Sequence, residues 1–269
     1  MVGVPAASYF VVSAVFHYFG PALAVLLFAH VSTLGVAWLR VASAAVVFAV
    51  WRRPWRRVNG TVLALGLVLA AMNCLFYLAL DRLPLATVGA IEFLGPVALA
   101  AAGARTRRNV LALLLAVGGA LVLTQVRIGG APLGFVFAFA NCAGFVLYVV
   151  LGHRVAGTGS GVDRLGAAML VAAAAVTPVG FVSAAPAFTH LSWLLWGIAV
   201  GVCSSVIPYV TDQLAMARLP RATYALMLAL LPATATVVGL VVLRQVPAAR
   251  ELAGVALVVV GVAVHRSNA

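Results

Sequence analysis

The sequence predicts an all-α integral membrane protein of ten transmembrane helices in two inverted five-helix repeats. Three observations carry that expectation. The apolar fraction is 65% and is spread along the whole chain, against about 45–50% in soluble domains. Apolar runs of spanning length alternate with short gaps that hold the arginines, and a proline motif recurs at a constant interval. The mean hydropathy of +1.18 and the charged fraction of 8% agree with a chain that meets lipid along most of its length.

Cutting the chain where charge, proline or glycine interrupts the apolar runs gives each element in order. The first span, 7–28, has no positive residue before it and exceeds a signal-peptide core, so it is retained as a helix. The second, 32–51, ends at Trp51-Arg52-Arg53-Pro54-Trp55-Arg56-Arg57. The third, 60–80, ends at Asp81-Arg82-Leu83-Pro84, and the fourth, 84–103, at Arg105-Thr106-Arg107-Arg108. The fifth and sixth, 109–125 and 132–152, are separated by Arg127. A Gly/Ser/Thr-rich linker from Gly152 to Arg164 leads to the seventh, 164–183. The eighth, 191–213, ends at Arg218-Leu219-Pro220-Arg221. Arg244 and Arg250 separate the ninth, 221–243, from the tenth, 249–266. No gap is long enough for a soluble domain.

The arginines orient the chain. Twelve fall in gaps on one side and four on the other, and the richer side is cytoplasmic, which puts both termini inside a bacterial-type inner (plasma) membrane. The net charge of +12 is therefore spread over interhelical gaps and forms no clustered face for nucleic acid. Trp51, Trp55, Trp193 and Trp196 lie near span ends, as an aromatic belt requires.

An internal repeat divides the chain into 1–128 and 129–269. Arg82-Leu83-Pro84-Leu85-Ala86-Thr87 matches Arg218-Leu219-Pro220-Arg221-Ala222-Thr223, and a further proline, Pro96 or Pro232, follows each at the same distance. By the arginine orientation the first copy lies outside and the second inside, so the halves are inverted. Interrupted helices at matching positions of inverted halves point to a secondary transporter with its site near the midplane. A recurrent way of turning between two helices is the plainer reading of the motif. Gly95, Pro96, Pro208 and Pro232 are the expected helix breaks.

Several chemistries are excluded. There is no Walker A loop, so ATP does not drive this chain, and no cofactor is expected. Cys74, Cys142 and Cys203 lie singly in apolar runs without CxxC spacing, so no metal site is predicted. Of the acids Asp81, Glu92, Asp163, Asp212 and Glu251, four lie near span ends, which leaves no acid/base constellation for an enzyme. A membrane-embedded lipid-modifying enzyme is the remote alternative.

The chemistry-bearing residue is Glu92. A carboxylate at bilayer depth is costly to ionise and marks a pathway or coupling site. Counting helical rise from the outer ends places Arg40 and Glu92 roughly 12 Å deep, Asn73 roughly 10 Å, Asn141 roughly 14 Å and His17 roughly 16 Å. Glu92 would take a substrate ammonium, Arg40 a carboxylate through its planar fork, and the two amides a polar side chain. The structural alternative is a fixed Arg40–Glu92 bridge with the amides tying helices together. His17, with a side chain that ordinarily titrates near neutrality, joins Glu92 as a coupling candidate against a plain packing role. Pro208-Tyr209, Asp212, Gln213, Tyr224 and Tyr148 gather near the inner turn, as a gate or as anchors and a cap. Gly118, Gly119, Gly254 and Gly261 smooth the fifth and tenth spans for close packing within or between protomers, and a homo-oligomer stays open.

The ten-span, five-plus-five plan resembles the drug/metabolite transporter superfamily, in its EamA-type branch. More closely, Met72-Asn73-Cys74-Leu75-Phe76-Tyr77-Leu78-Ala79-Leu80, Leu83-Pro84-Leu85 and Glu92-Phe93-Leu94-Gly95-Pro96 resemble the threonine/homoserine exporter subfamily. Pro54-Trp55-Arg56, and Tyr148 followed by Gly152-His153-Arg154, extend the resemblance over essentially the whole chain. Departures are Arg244-Gln245, where members often carry Gly-Glu, and a weak match up to His30. The resemblance implies export of a small neutral amino acid such as threonine or homoserine. The inverted repeat adds alternating access around the Glu92 layer, the lack of an ATP site makes a proton gradient the expected energy source, and Tyr77 and Tyr148 join Glu92, Arg40, Asn73 and Asn141 in the expected substrate-binding set. A relative of the same fold with a different substrate or inward direction is the alternative.

Overall fold

The computed structural model describes residues 6–83, 85–103, 106–123, 132–228, 230–231 and 249–264, and among them the regular elements are all helical. They are α1 (Ala6–Leu27), α2 (Thr33–Arg52), α3 (Gly60–Leu80), α4 (Leu85–Gly103), α5 (Arg107–Leu123), α6 (Pro132–Ala156), α7 (Gly161–Ala184), α8 (Leu191–Gly201), α9 (Ile207–Met216), α10 (Arg221–Met227) and α11 (Ala249–Val264). A π-helical turn, Val202–Val206, joins α8 to α9 into one continuous helix, so the described segments number ten. Among the described residues, five helices are long and apolar enough to cross a membrane: Thr33–Arg52, Gly60–Leu80, Pro132–Ala156, Gly161–Thr189 and Leu191–Met216. Pro84, Pro232, most of the second half of the ninth span and the 128/129 division fall outside the described residues.

Local chemistry sets the ends. Ser32 caps α2 by accepting from the Gly35 N–H at 3.3 Å, and Asn59 caps α3 by accepting from the Val62 N–H at 2.9 Å. At the other end of α2, Arg53 turns into the left-handed region with φ 48° and donates its N–H to Ala49 O. That turn throws the chain into the 3₁₀ segment Pro54–Arg57 and gathers four arginines at one corner, where Arg52 pairs with Asp163 at 2.6 Å.

Apolar side chains cover the outside as well as the inside. Val50 and Val182 are each 77% exposed, which suits a lipid-facing surface and not water. Inside, one large apolar cluster holds Phe10, Ala14, Val41, Met72, Phe145 and Tyr148, and a second holds Ala24, Leu27, Leu39, Tyr77 and Val200. On α1, α2 and α3 the change from one cluster to the other falls at His17, Arg40 and Asn73. A polar layer therefore crosses the middle of the bundle between two apolar ones.

The main helix contacts join the first five helices to the last five. α2 packs on α7, α4 on α10 and α5 on α11; α3 packs on α6 and α7, and α8–α9 pack reciprocally on α1 and α2. Small residues make these approaches possible. A Cβ on Gly119 would stand 2.6 Å from Gly254 O, and one on Gly261 2.8 Å from Ala112 O. The α5–α11 glycines thus pack within one chain.

The expected break at Gly95–Pro96 is not a break, because α4 runs unbroken from Leu85 to Gly103. The proline φ suits a helix, so α4 continues, but Pro96 has no N–H for the carbonyl of Glu92 and its ring crowds that carbonyl. Pro208 differs, since it is the second residue of α9, just past the π-helical turn Val202–Val206.

Candidate functional site

Six helical segments enclose a cavity of about 30 Å³ in the polar layer. His17 and Pro21 of α1, Arg40 of α2, Met72, Asn73 and Phe76 of α3, Glu92 of α4, Asn141 of α6 and Tyr209 of α9 line it. All five residues expected in one layer from helical rise meet around this single space. Tyr77 and Tyr148 do not line it.

Glu92 is positioned by a close helix contact. Gly95, one turn along α4, lies so near α6 that a Cβ there would stand 2.8 Å from Val146 Cγ2 and 3.3 Å from Cys142 O. That approach lets Asn141 Nδ2 donate to Glu92 Oε1 at 2.9 Å. Asn141 Oδ1 is buried without a hydrogen-bond partner among the described residues. An orphaned acceptor at a cavity wall is costly unless something polar comes to meet it.

Arg40 is held by the π-helical turn. Its Nε donates to Ser205 Oγ at 2.9 Å and its Nη2 to Ser204 O at 2.8 Å, with Tyr209 OH at 3.4 Å. The location has a backbone reason: in a regular helix Ser204 O would accept from residue 208, and Pro208 has no N–H to give. Arg40 thus bonds a carbonyl that cannot take the regular helical bond from residue 208. The rings of Tyr77 and Tyr209 lie 5.7 Å and 6.0 Å from the guanidinium carbon. Tyr77 is thus an aromatic support behind Arg40. The fixed Arg40–Glu92 bridge does not form; the ion pairs among the described residues are Arg52–Asp163 and Arg82–Asp81.

Asn73 Nδ2 donates to Leu69 O at 2.7 Å and reaches Tyr209 OH at 3.5 Å. The Tyr148 ring stands 5.3 Å from that of Tyr209 and 5.8 Å from that of Phe145, which in turn lies 6.4 Å from His17. Tyr148 OH donates to Asp212 Oδ2 at 3.0 Å, and Ser13 Oγ donates to Asp212 Oδ1 at 2.6 Å. Asp212 is therefore neither a cap nor an anchor.

Sequence reasoning did not find Ser204, Ser205 or the place of Tyr209 on the cavity wall. One signal was available for the tyrosine: Asn73 and Tyr209 are 136 residues apart, as are Pro84 and Pro220.

Comparison with known proteins agrees with this architecture. Residues 132–266 match the EamA-like transporter family. Over 238 residues, 84% of this chain and 79% of the relative, the chain is 34% identical to the threonine/homoserine exporter RhtA of Salmonella typhimurium (strain LT2). Over the same shares it is 32% identical to the threonine/homoserine exporter RhtA of Escherichia coli (strain K12). A solved crystal structure at 22% identity shares the fold over 96% of both chains with a TM-score of 0.69.

Proposed function

This chain belongs to the EamA-like transporter family, and from that premise we propose that it exports small neutral amino acids of the threonine/homoserine type by proton-coupled alternating access. The observation that carries the reading is the cavity itself, where an acid, a cation and two amides from four helices converge between two apolar layers. An amino acid needs such a set: a carboxylate for its ammonium, a guanidinium for its carboxylate and amides for a hydroxyl. Glu92 takes the ammonium, Asn141 Oδ1 accepts from the ammonium or side chain, and Asn73 stands opposite. The bonds Arg40 makes to Ser204, Ser205 and Tyr209 use Nε and Nη2, which leaves Nη1 for the substrate carboxylate.

At about 30 Å³ the cavity has room for about two water molecules and not for an amino acid, so substrate binding needs the helices to part. Two five-helix halves, 1–128 and 129–269, rock about the Glu92 layer and open it to each side in turn. The arginine bias orients the chain with both termini in the cytoplasm of a bacterial-type inner membrane. The chain is read as a carrier and not an enzyme, with proton flow as its energy source and Glu92 with His17 as coupling groups.

Counterflow in proteoliposomes with a panel of labelled amino acids tests the reading. Uptake of threonine or homoserine that is lost in Glu92→Gln is the expected result. Uptake of no amino acid would reassign the chain to another small-molecule substrate, and wild-type exchange by Glu92→Gln would remove Glu92 from the site.

A further inference from the structure

A second acid lies inside the bundle, and the substrate-site reading does not use it. Asp212 sits on α9 about one turn beyond Tyr209 and is 2% exposed. Its two oxygens are held by hydroxyls from two other helices, Ser13 of α1 at 2.6 Å and Tyr148 of α6 at 3.0 Å. The titratable groups that face it are the phenols of Tyr148, of Tyr224 on α10 and of Tyr209 on its own helix. Among the described residues, no charged side chain of α1, α6, α7 or α10 pairs with it.

A carboxylate buried without a cation is expensive to keep charged, and in a membrane protein such a group marks a proton relay or ion path. Its position gives that chemistry a mechanical consequence. Ser13 belongs to the first five helices and Asp212 to the last five, so their bond ties α1 to α9. From Asp212 the contacts lead back to the substrate cavity: the Tyr148 ring lies tilted against that of Tyr209, whose hydroxyl meets Arg40 and Asn73.

We propose that Asp212 is a proton-binding site of this transporter, whose loading weakens the Ser13 tie between α1 and α9. The inference rests on the carrier reading above. A proton from the aqueous phase forms an O–H bond on Oδ1 and neutralises the carboxylate. The charge-assisted bond to Ser13 becomes a weaker neutral one, α1 and α9 part more readily, and Tyr148 keeps its hold on Oδ2. When the proton leaves to the opposite phase, the charge returns, the Ser13 bond regains its strength and the bundle closes. Nothing is oxidised or reduced.

The test separates proton binding from substrate handling. Purified Asp212→Asn in proteoliposomes is expected to keep counterflow at equal pH on both sides. Accumulation driven by a pH gradient should fall about tenfold or more, together with proton movement reported by an internal pH dye. Asp212→Glu should restore both. In substrate-free protein, acidification should raise an infrared band of a protonated carboxyl that disappears in Asp212→Asn and persists in Glu92→Gln. Wild-type accumulation by Asp212→Asn, or a carboxyl band unchanged by that substitution, would overturn the proposal. So would a folded Asp212→Asn protein that loses counterflow along with accumulation, since the acid would then serve substrate passage. If the wild type exchanges no amino acid, the substrate reading fails, while the infrared band still decides whether Asp212 takes a proton.

Discussion

Asn73 and Tyr209 lie 136 residues apart and touch, with Asn73 Nδ2 at 3.5 Å from the Tyr209 hydroxyl. The same interval separates Pro84 from Pro220, so corresponding positions of the two sequence copies meet at the cavity wall. The tyrosine also receives Nη2 of Arg40 at 3.4 Å, and one hydroxyl thereby links α2, α3 and α9. Both bonds are long. Tyr209→Phe should therefore cost about 1 kcal/mol of stability. A double-mutant cycle of Asn73→Ala with Tyr209→Phe should show coupling of about 0.5–1 kcal/mol, measured by unfolding in detergent. Strict additivity would mean that the two side chains are neighbours without a bond.

Arg40 should be sensitive to shape as well as to charge. Arg40→Ala leaves Ser205 Oγ and Ser204 O without their guanidinium donor inside the bundle, a loss of about 2–4 kcal/mol visible as a lower melting temperature. Arg40→Lys should recover less than half of it, because an ammonium cannot bond the carbonyl and the hydroxyl through a planar fork. Full recovery by lysine would show that only the charge matters.

Asn141→Ala removes the one side-chain donor that Glu92 has among the described residues. A hydrogen bond to a charged group is worth about 1.5–3 kcal/mol, so half-saturation in counterflow should rise about tenfold or more. The maximal exchange rate should change less. An unchanged half-saturation would place the substrate away from this pair.

Two neighbouring glycines on α5 provide a matched comparison. A Cβ on Gly119 would press on Gly254 O and on Val258 of α11, whereas one on Gly118 meets nothing within 4 Å. Gly119→Ala should cost about 1–3 kcal/mol. Gly118→Ala should be neutral or stabilising by up to about 1 kcal/mol through helix propensity. Thermal unfolding of the two purified variants reads the difference, and equal melting temperatures would contradict the α5–α11 contact.

The Arg52–Asp163 pair is short at 2.6 Å but its side chains are 37% and 23% exposed. Water and salt weaken such a pair, so Asp163→Asn should change stability by less than about 1 kcal/mol and leave exchange intact. A larger loss would mean that Arg52 fixes the whole corner at Arg53–Arg57.

Much of the cavity lining was legible in the sequence. His17, Arg40, Asn73, Glu92 and Asn141 stand out because a polar side chain in an apolar span is rare, and a fixed rise per residue converts position into depth. Ser204 and Ser205 were not legible, since serine is unremarkable in a membrane helix until one knows that Pro208 leaves a carbonyl without its donor. Asp212 was misjudged for a related reason. Its sequence neighbours suggest a helix end, whereas its partners Ser13 and Tyr148 come from helices 199 and 64 residues away.

What the sequence determined by itself is whatever the surrounding solvent imposes. Lipid demands long apolar helices with their backbone bonds satisfied internally, so span positions and the depth of each polar side chain follow from local composition. What only the tertiary structure decided is which way each helix turns and which neighbour it meets: Arg40 on the π-helical turn instead of on Glu92, Tyr77 behind the guanidinium instead of in the cavity, α5 glycines on α11 of the same chain. Depth is a property of one helix, but rotation about its axis is set by packing against the others, and several faces of such evenly apolar helices satisfy the bilayer equally well.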